Sequence, residues 1–225
     1  MRVLSITHGS DVGPELVGDV VRDQGHELIA WDMLTQGRPP EADAVLVFGG
    51  AQNVGEELQH PWLHEEYEAL RRWLDRGTPL FAVCLGAQTL AHAAGGEVAK
   101  APQTYLGFVP AELTDDGLAD PVLGVLPRQF EALNANAYQV FSLPERSVSL
   151  ARSGTLEQAF RVGERAWAVQ FHPEVRRDQI VAWFAEEKDP PRSLNELAAE
   201  VDAGIDAWQE HGRALAHAFL HVASR

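Results

Sequence analysis

The chain has 225 residues, 45% of them hydrophobic, which is enough for one substantial core. Its 18 Lys and Arg against 33 Asp and Glu leave a net charge of −15, which repels phosphate backbones and anionic lipid surfaces and argues against nucleic acid or a membrane as partner. A single cysteine excludes an intrachain disulfide, no stretch approaches the roughly 20 consecutive apolar residues of a membrane span, and Met1-Arg2-Val3-Leu4-Ser5-Ile6 lacks the apolar region of a secretory signal, so the expected location is the cytoplasm.

Apolar runs alternate with helical patterns, as in βαβ units built around a mainly parallel sheet. Val3 to Thr7 reads as the first strand. Asp11-Val12-Gly13-Pro14 then starts a helix with Leu16, Val17, Val20 and Val21 as its buried stripe, and Pro14 sits near the first position, where a missing N–H costs nothing. His26 to Trp31 and Ala44 to Phe48 read as the next two strands. After Pro61, the residues Leu63, Tyr67, Leu70 and Leu74 recur at helical spacing until Gly77-Thr78-Pro79 stops them. Leu80 to Val83 is then the central strand that delivers Cys84.

Turns are frequent from Gly95 to Leu150, where Glu97 to Lys100, Phe108 to Leu113 and Ser147 to Ala151 are expected as antiparallel strands covering one edge. From Arg161 the chain returns to the sheet and ends at His172, and Asp178 to Glu186 is expected as a closing helix. Asp189-Pro190-Pro191 interrupts the pattern, and Ser193-Leu194-Asn195-Glu196 is a capping-box sequence. Leu194, Leu197, Val201, Ile205, Trp208, Leu215, Phe219 and Val222 then fit one or two amphipathic helices. The expected organisation is an α/β domain over residues 1–188 and a C-terminal helical extension over residues 189–225 packed on it; the alternative use of that stripe is a docking or homodimer surface.

Phe81-Ala82-Val83-Cys84-Leu85-Gly86-Ala87-Gln88 sets the only cysteine where an apolar run gives way to a helical pattern. A side chain on such a strand-to-helix elbow projects from the sheet edge, and the free N–H groups of the helix favour a thiolate. A lone cysteine is equally at home in a packed core. The case for chemistry comes from Ala166-Trp167-Ala168-Val169-Gln170-Phe171-His172-Pro173-Glu174. A cysteine nucleophile needs a base, and the base needs a group to orient its ring. His172 and Glu174 fit those roles, with Pro173 fixing a turn that lets the carboxylate fold back on the imidazole. The elbow also offers the Leu85 N–H as an oxyanion donor. Glycine at 49 and 50 suits a loop that approaches a ligand closely and adopts positive φ.

Gly49-Gly50 after Val45-Leu46-Val47-Phe48, Cys84-Leu85-Gly86-Ala87-Gln88, and Gln170-Phe171-His172-Pro173-Glu174 together resemble the three signatures of class I (triad) glutamine amidotransferases, nearest to the stand-alone, GMP-synthase-like branch. The likeness covers roughly residues 1 to 185, with Leu106-Gly107-Phe108, Phe141-Ser142-Leu143-Pro144 and Gln158-Ala159-Phe160-Arg161 in the family's order. It implies a flavodoxin-like α/β fold, a mainly parallel central sheet flanked by helices with a small antiparallel edge portion. It also implies a Cys84–His172–Glu174 triad that releases ammonia or an amine from glutamine or a γ-glutamyl compound through a γ-glutamyl thioester, with no cofactor. The second oxyanion donor is by resemblance the Gly50 N–H, and Gln88, Gly49, Tyr138 and Gln139 are the substrate-binding set; Gln88 also reads as an ordinary helix glutamine. No Gly-rich ATP loop is present, so the ammonia would pass to a synthetase partner, or the chain is a free-standing γ-glutamyl hydrolase.

One stretch departs from the family's pattern. Where the family carries a His and, two residues later, an Asp that helps bind the donor's α-amino group, this chain has Ala137 and Gln139. A neutral amide cannot supply a carboxylate's pairing with an ammonium group, which makes a γ-glutamyl peptide an alternative donor to free glutamine. A catalytically silent regulatory or binding module of the same fold is the alternative function. His60 and His64, and His211, His217 and His221, lack metal-ligand spacing, so no metal site is expected. His8 lies at the sheet edge where α/β proteins bind ligands and is a candidate pocket residue, and the six tryptophans read as packing.

Overall fold

The computed structural model describes residues 1–187 and 190–225, so Asp189 of the expected chain break lies outside the described residues. The strands are β1 (Arg2–His8), β2 (Glu27–Asp32), β3 (Ala44–Gly50), β4 (Leu80–Val83), β5 (Glu97–Leu113), β6 (Gln129–Ser142), β7 (Ser147–Ser153), β8 (Leu156–Val162) and β9 (Ala166–Val169). The helices are α1 (Glu15–Asp23), α2 (Met33–Gln36), α3 (Trp62–Arg76), α4 (Leu85–Ala93), α5 (Asp115–Ala119), α6 (Arg177–Glu186) and α7 (Leu194–Ala223). All nine strands form one sheet in the order β2-β1-β3-β4-β9-β8-β7-β5-β6. The first five of that order run parallel, and β8, β7, β5 and β6 continue antiparallel.

Alternation along β3 sends its side chains into two cores. Leu46 and Phe48 join Val17 and Val21 of α1 and Phe219 of α7 on one face, while Val45 and Val47 join Leu63, Leu70 and Trp73 of α3 on the other. Strands buried on both faces read as unbroken apolar runs, which is why β3 and β4 are plain in the sequence.

The antiparallel half departs from expectation in detail. The two short strands expected at 97–100 and 108–113 are one strand, β5, with an irregularity between Lys100 and Tyr105. Its partner β6 was not expected at all, because Asn134, Asn136 and Gln139 point into the protein and mask the alternation of apolar residues. The C-terminal residues form one continuous helix with the expected capping box at Ser193 and Glu196. Its stripe is used by the chain's own core: Phe219 packs on Phe81 and Trp167, and Trp208 on Phe130 and Phe171. No helix among the described residues is long and apolar enough to cross a membrane.

A polar junction pins β9 at its N-terminal half. The Asp120 carboxylate accepts from Trp167 Nε1 at 2.9 Å, Arg161 Nε at 3.0 Å and the backbone N–H of Val122 at 2.8 Å. Asp120→Ala would strip a buried indole and a half-buried guanidinium of their acceptor, and the expected cost is about 3 kcal/mol, read as a lower urea midpoint with an unchanged m-value.

Candidate active site

Parallel pairing of β4 with β9, in register at Val83 and Val169, makes the two strands deliver their next residues side by side at the carboxyl rim of the sheet. The Cys84 N–H donates to the Val169 carbonyl at 2.9 Å, so the bond ladder extends into the elbow itself. Cys84 then turns sharply, with φ 53° and ψ −108°, before α4 begins at Leu85. Left-handed φ in a non-glycine residue is costly and is held here by the strand before it and the helix after it. Beyond β9, the His172 N–H donates to the Leu133 carbonyl of β6 at 2.9 Å, which fixes where the imidazole stands.

His172 Nδ1 donates to Glu174 Oε1 at 2.8 Å, and both side chains are almost wholly buried. The ring and Cys84 flank one turn: a Cβ on Gly49 would meet His172 Cε1 at 3.1 Å and the Cys84 Cβ at 3.7 Å. Burial alone would lower the His172 pKa, but the Glu174 carboxylate, the Cys84 sulfur and hydrogen bonds to both outweigh it and raise the value to about 10. The raised value favours the protonated ring, whose charge the Glu174 carboxylate balances. Cys84, His172 and Glu174, read from two distant stretches of sequence, thus converge.

The remaining predicted residues divide. Leu85 opens α4, whose first N–H groups have no acceptor within the helix, and Gly50 lies across from it on the wall of a cavity of about 420 Å³ that Cys84 and His172 also line. Gln88 and Tyr138 line this cavity as well. The Gln88 amide donates to the Tyr138 carbonyl at 3.0 Å and to Gln170 Oε1 at 3.2 Å, and Gln170 in turn points its Nε2 at the Cys84 sulfur, 3.6 Å away. Gln139 is buried outside the cavity lining, with its Oε1 unpartnered among the described residues. Gly49 also lies outside the lining and sits under the His172 ring. Neither Gly49 nor Gly50 has the positive φ expected of it. What they supply is room: a Cβ on Gly49 would come 3.1 Å from His172 Cε1, and one on Gly50 2.7 Å from the Cβ of His8. His8 is not a pocket residue but lies buried beneath this turn.

Several residues escaped the sequence reading. Trp183, expected as packing, lines the cavity and meets His172 edge-on with ring centres 5.0 Å apart. Trp208 of α7 donates its indole N–H to the His172 carbonyl at 2.8 Å. One turn further on, Gly212 lies so close to the Pro173 carbonyl that a Cβ would not fit. Lys100, Asp11, Glu186 and Glu187 bring charge of both signs to the cavity wall. Only Gln170 had a signal: it is two residues before His172 in an extended run and so shares its face. A larger hollow, about 850 Å³, lies among Glu112, Asp115, Arg128 and Arg152, and none of Cys84, His172 and Glu174 borders it. Among the described residues, no three His, Cys, Asp or Glu side chains cluster as a metal site would require.

The structure thus sets a cysteine on a strand–helix elbow beside a histidine–carboxylate pair at the rim of a mixed α/β sheet. The chain belongs to the class-I glutamine amidotransferases, whose family description, "Glutamine amidotransferase class-I", matches residues 20–181. It is 33% identical over 141 residues to the glutamine-hydrolyzing GMP synthase of Aeropyrum pernix, covering 62% of this chain and 26% of that one. To the enzyme of the same name from Aliivibrio fischeri it is 29% identical over 183 residues, covering 77% and 32%. The chain thus spans about a third or less of these curated relatives. Among solved structures it is similar to a glutamine amidotransferase from Thermotoga maritima, with TM-score 0.85, 23% identity and 97% of each chain covered. A glutamine amido transferase from Methylobacillus flagellatus gives TM-score 0.86 at 22% identity, covering 98% of this chain and 94% of that one.

Replacing Trp208 with Phe keeps the aromatic packing and removes the donor to the His172 carbonyl. The expected loss is about 1–3 kcal/mol of stability for an unsatisfied buried acceptor, measured by urea denaturation.

Proposed function

We propose that this chain hydrolyses the side-chain amide of glutamine or of a γ-glutamyl compound through a thioester on Cys84. The observation that carries the reading is that Cys84 and His172 line one cavity while the Glu174 carboxylate, buried behind them, accepts from His172 Nδ1. In the first half-reaction the sulfur attacks the amide carbon. The tetrahedral oxyanion is met by the N–H groups of Leu85 and Gly50, and His172 gives its proton to the departing nitrogen. In the second half-reaction the neutral ring takes a proton from water, which attacks the thioester and releases the acid and the thiolate. Glu174 holds the ring's orientation and stabilises its charged form throughout. We place this chemistry in the unit formed by residues 1–188, with residues 189–225 as a packed extension that supports it.

The GMP synthases that this chain resembles are more than twice its length, and by their name they couple glutamine hydrolysis to a synthesis. Delivery of ammonia to a synthetase partner is accordingly the proposed role. A second reading is a free-standing hydrolase of γ-glutamyl peptides, in which an amine leaves in place of ammonia; Lys100 and Asp11 on the wall suit the α-carboxylate and α-ammonium that both donors carry.

Purified protein incubated with glutamine, asparagine and γ-glutamyl dipeptides should release ammonia or amine, with Cys84→Ala inert. Release from glutamine only after a synthetase is added supports the first role, and cleavage of dipeptides alone supports the second. Glu174→Gln should lower kcat by about 10²–10⁴, since an amide neither stabilises the imidazolium nor fixes its tautomer. A Cys84→Ala variant as active as the parent protein would end the proposal.

A further inference from the structure

A second histidine–carboxylate pair lies behind the Gly49-Gly50 turn and has no part in the chemistry above. His8, at the end of β1, is 2% exposed, and Glu66, on α3, is 1% exposed. The His8 Nε2 donates to the Glu66 carboxylate, and its Nδ1 donates to the Gly49 carbonyl at 2.8 Å. Trp62, one turn before Glu66 on α3, stacks on the His8 ring with centres 5.0 Å apart and planes 27° from parallel. Carbonyl and carboxylate oxygens only accept, so a ring that bonds both through nitrogen carries a proton on each. Burial opposes that charge, but the Glu66 carboxylate and the bond to Gly49 outweigh it and raise the His8 pKa. The other Glu66 oxygen has no partner among the described residues, so the carboxylate serves His8 alone.

The bonded carbonyl matters because of what shares its peptide. The Gly49 C=O and the Gly50 N–H belong to one planar trans unit and point in opposite directions. In the sheet, β3 stands between β1 and β4. A carbonyl drawn toward His8 at the end of β1 therefore turns the Gly50 N–H toward the β4 side, where Cys84 stands. A cation on the oxygen of a peptide also withdraws electron density from its N–H and makes it a stronger donor, as in any chain of coupled hydrogen bonds.

We infer that His8 and Glu66 form a positioning pair that orients and polarises the Gly50 N–H as an oxyanion donor. The inference rests on the reading of Gly50 proposed above. Neither side chain touches substrate; both act through one peptide. Cys84, His172 and Glu174 handle the proton, and this pair prepares the place where negative charge develops.

The test uses the full chain with Glu66→Gln and His8→Phe, circular dichroism and thermal unfolding confirming that each is folded. The first readout is the Gly50 amide resonance in ¹⁵N-glycine-labelled protein, assigned by its loss in Gly50→Ala. The second is hydrolysis of γ-glutamyl-p-nitroanilide, and the third is alkylation of Cys84 by iodoacetamide, a displacement at saturated carbon that forms no oxyanion. The expected result is an upfield shift of the Gly50 amide proton in both variants and a kcat lower by about tenfold, a fraction of the roughly 10²–10³ lost with a whole donor. KM and the alkylation rate should stay at the parent values. An unmoved Gly50 amide overturns the inference whatever the activity, as does a normal kcat or an alkylation rate that falls together with kcat. If the amide moves as expected but the parent protein cleaves no amide, the orienting pair stands and the proposed hydrolysis fails.

Discussion

Adjacency of β4 and β9 is the constraint on which the site depends. These strands are far apart in sequence and meet only because the chain makes its antiparallel excursion through β5 to β8 before returning to the centre of the sheet. One backbone bond, from Cys84 N–H to the Val169 carbonyl, fixes both the register of the pair and the place where the elbow departs. A slip of one residue would turn every side chain of β9 to the other face and carry His172 away from the sulfur. The apolar identity of Leu80 to Val83 and Ala166 to Val169, buried on both faces, is what prevents that slip.

Electrostatics around the turn at Gly49-Gly50 follow a repeated plan. On each side an imidazole is buried with a carboxylate on one nitrogen; one ring lines the cavity with Cys84, and the other turns its second nitrogen to the Gly49 carbonyl. Burying a cation is affordable only with a buried anion at contact distance, so Glu174 and Glu66 are required by the same physics although they serve different atoms. Within a chain of net charge −15 these two carboxylates, like Asp120 and Glu157, face inward.

Much of this was legible in the sequence. The elbow cysteine and the His-Pro-Glu turn stand at the ends of unbroken apolar runs, and such runs announce buried parallel strands whatever lies around them. Where polar side chains turn inward, legibility failed. Strand β6 hides behind Gln139 and behind Asn134 and Asn136, which bond to each other, to Gln158 and to the Tyr138 carbonyl. His8 and Trp183 gave no local sign of their roles, because the groups they meet, Glu66 and His172, are distant in the chain. Trp208 was placed correctly on a buried helical stripe, yet its indole N–H also does a polar job that a hydrophobic pattern cannot reveal.

The grip of α7 on the histidine loop has a temporal meaning. The Cys84 elbow is synthesised well before residues 208 to 212, so a nascent chain holds its cysteine before the His172 carbonyl finds its indole and Pro173 its closing neighbour. The loop that carries His172 is thereby braced only once α7 has emerged.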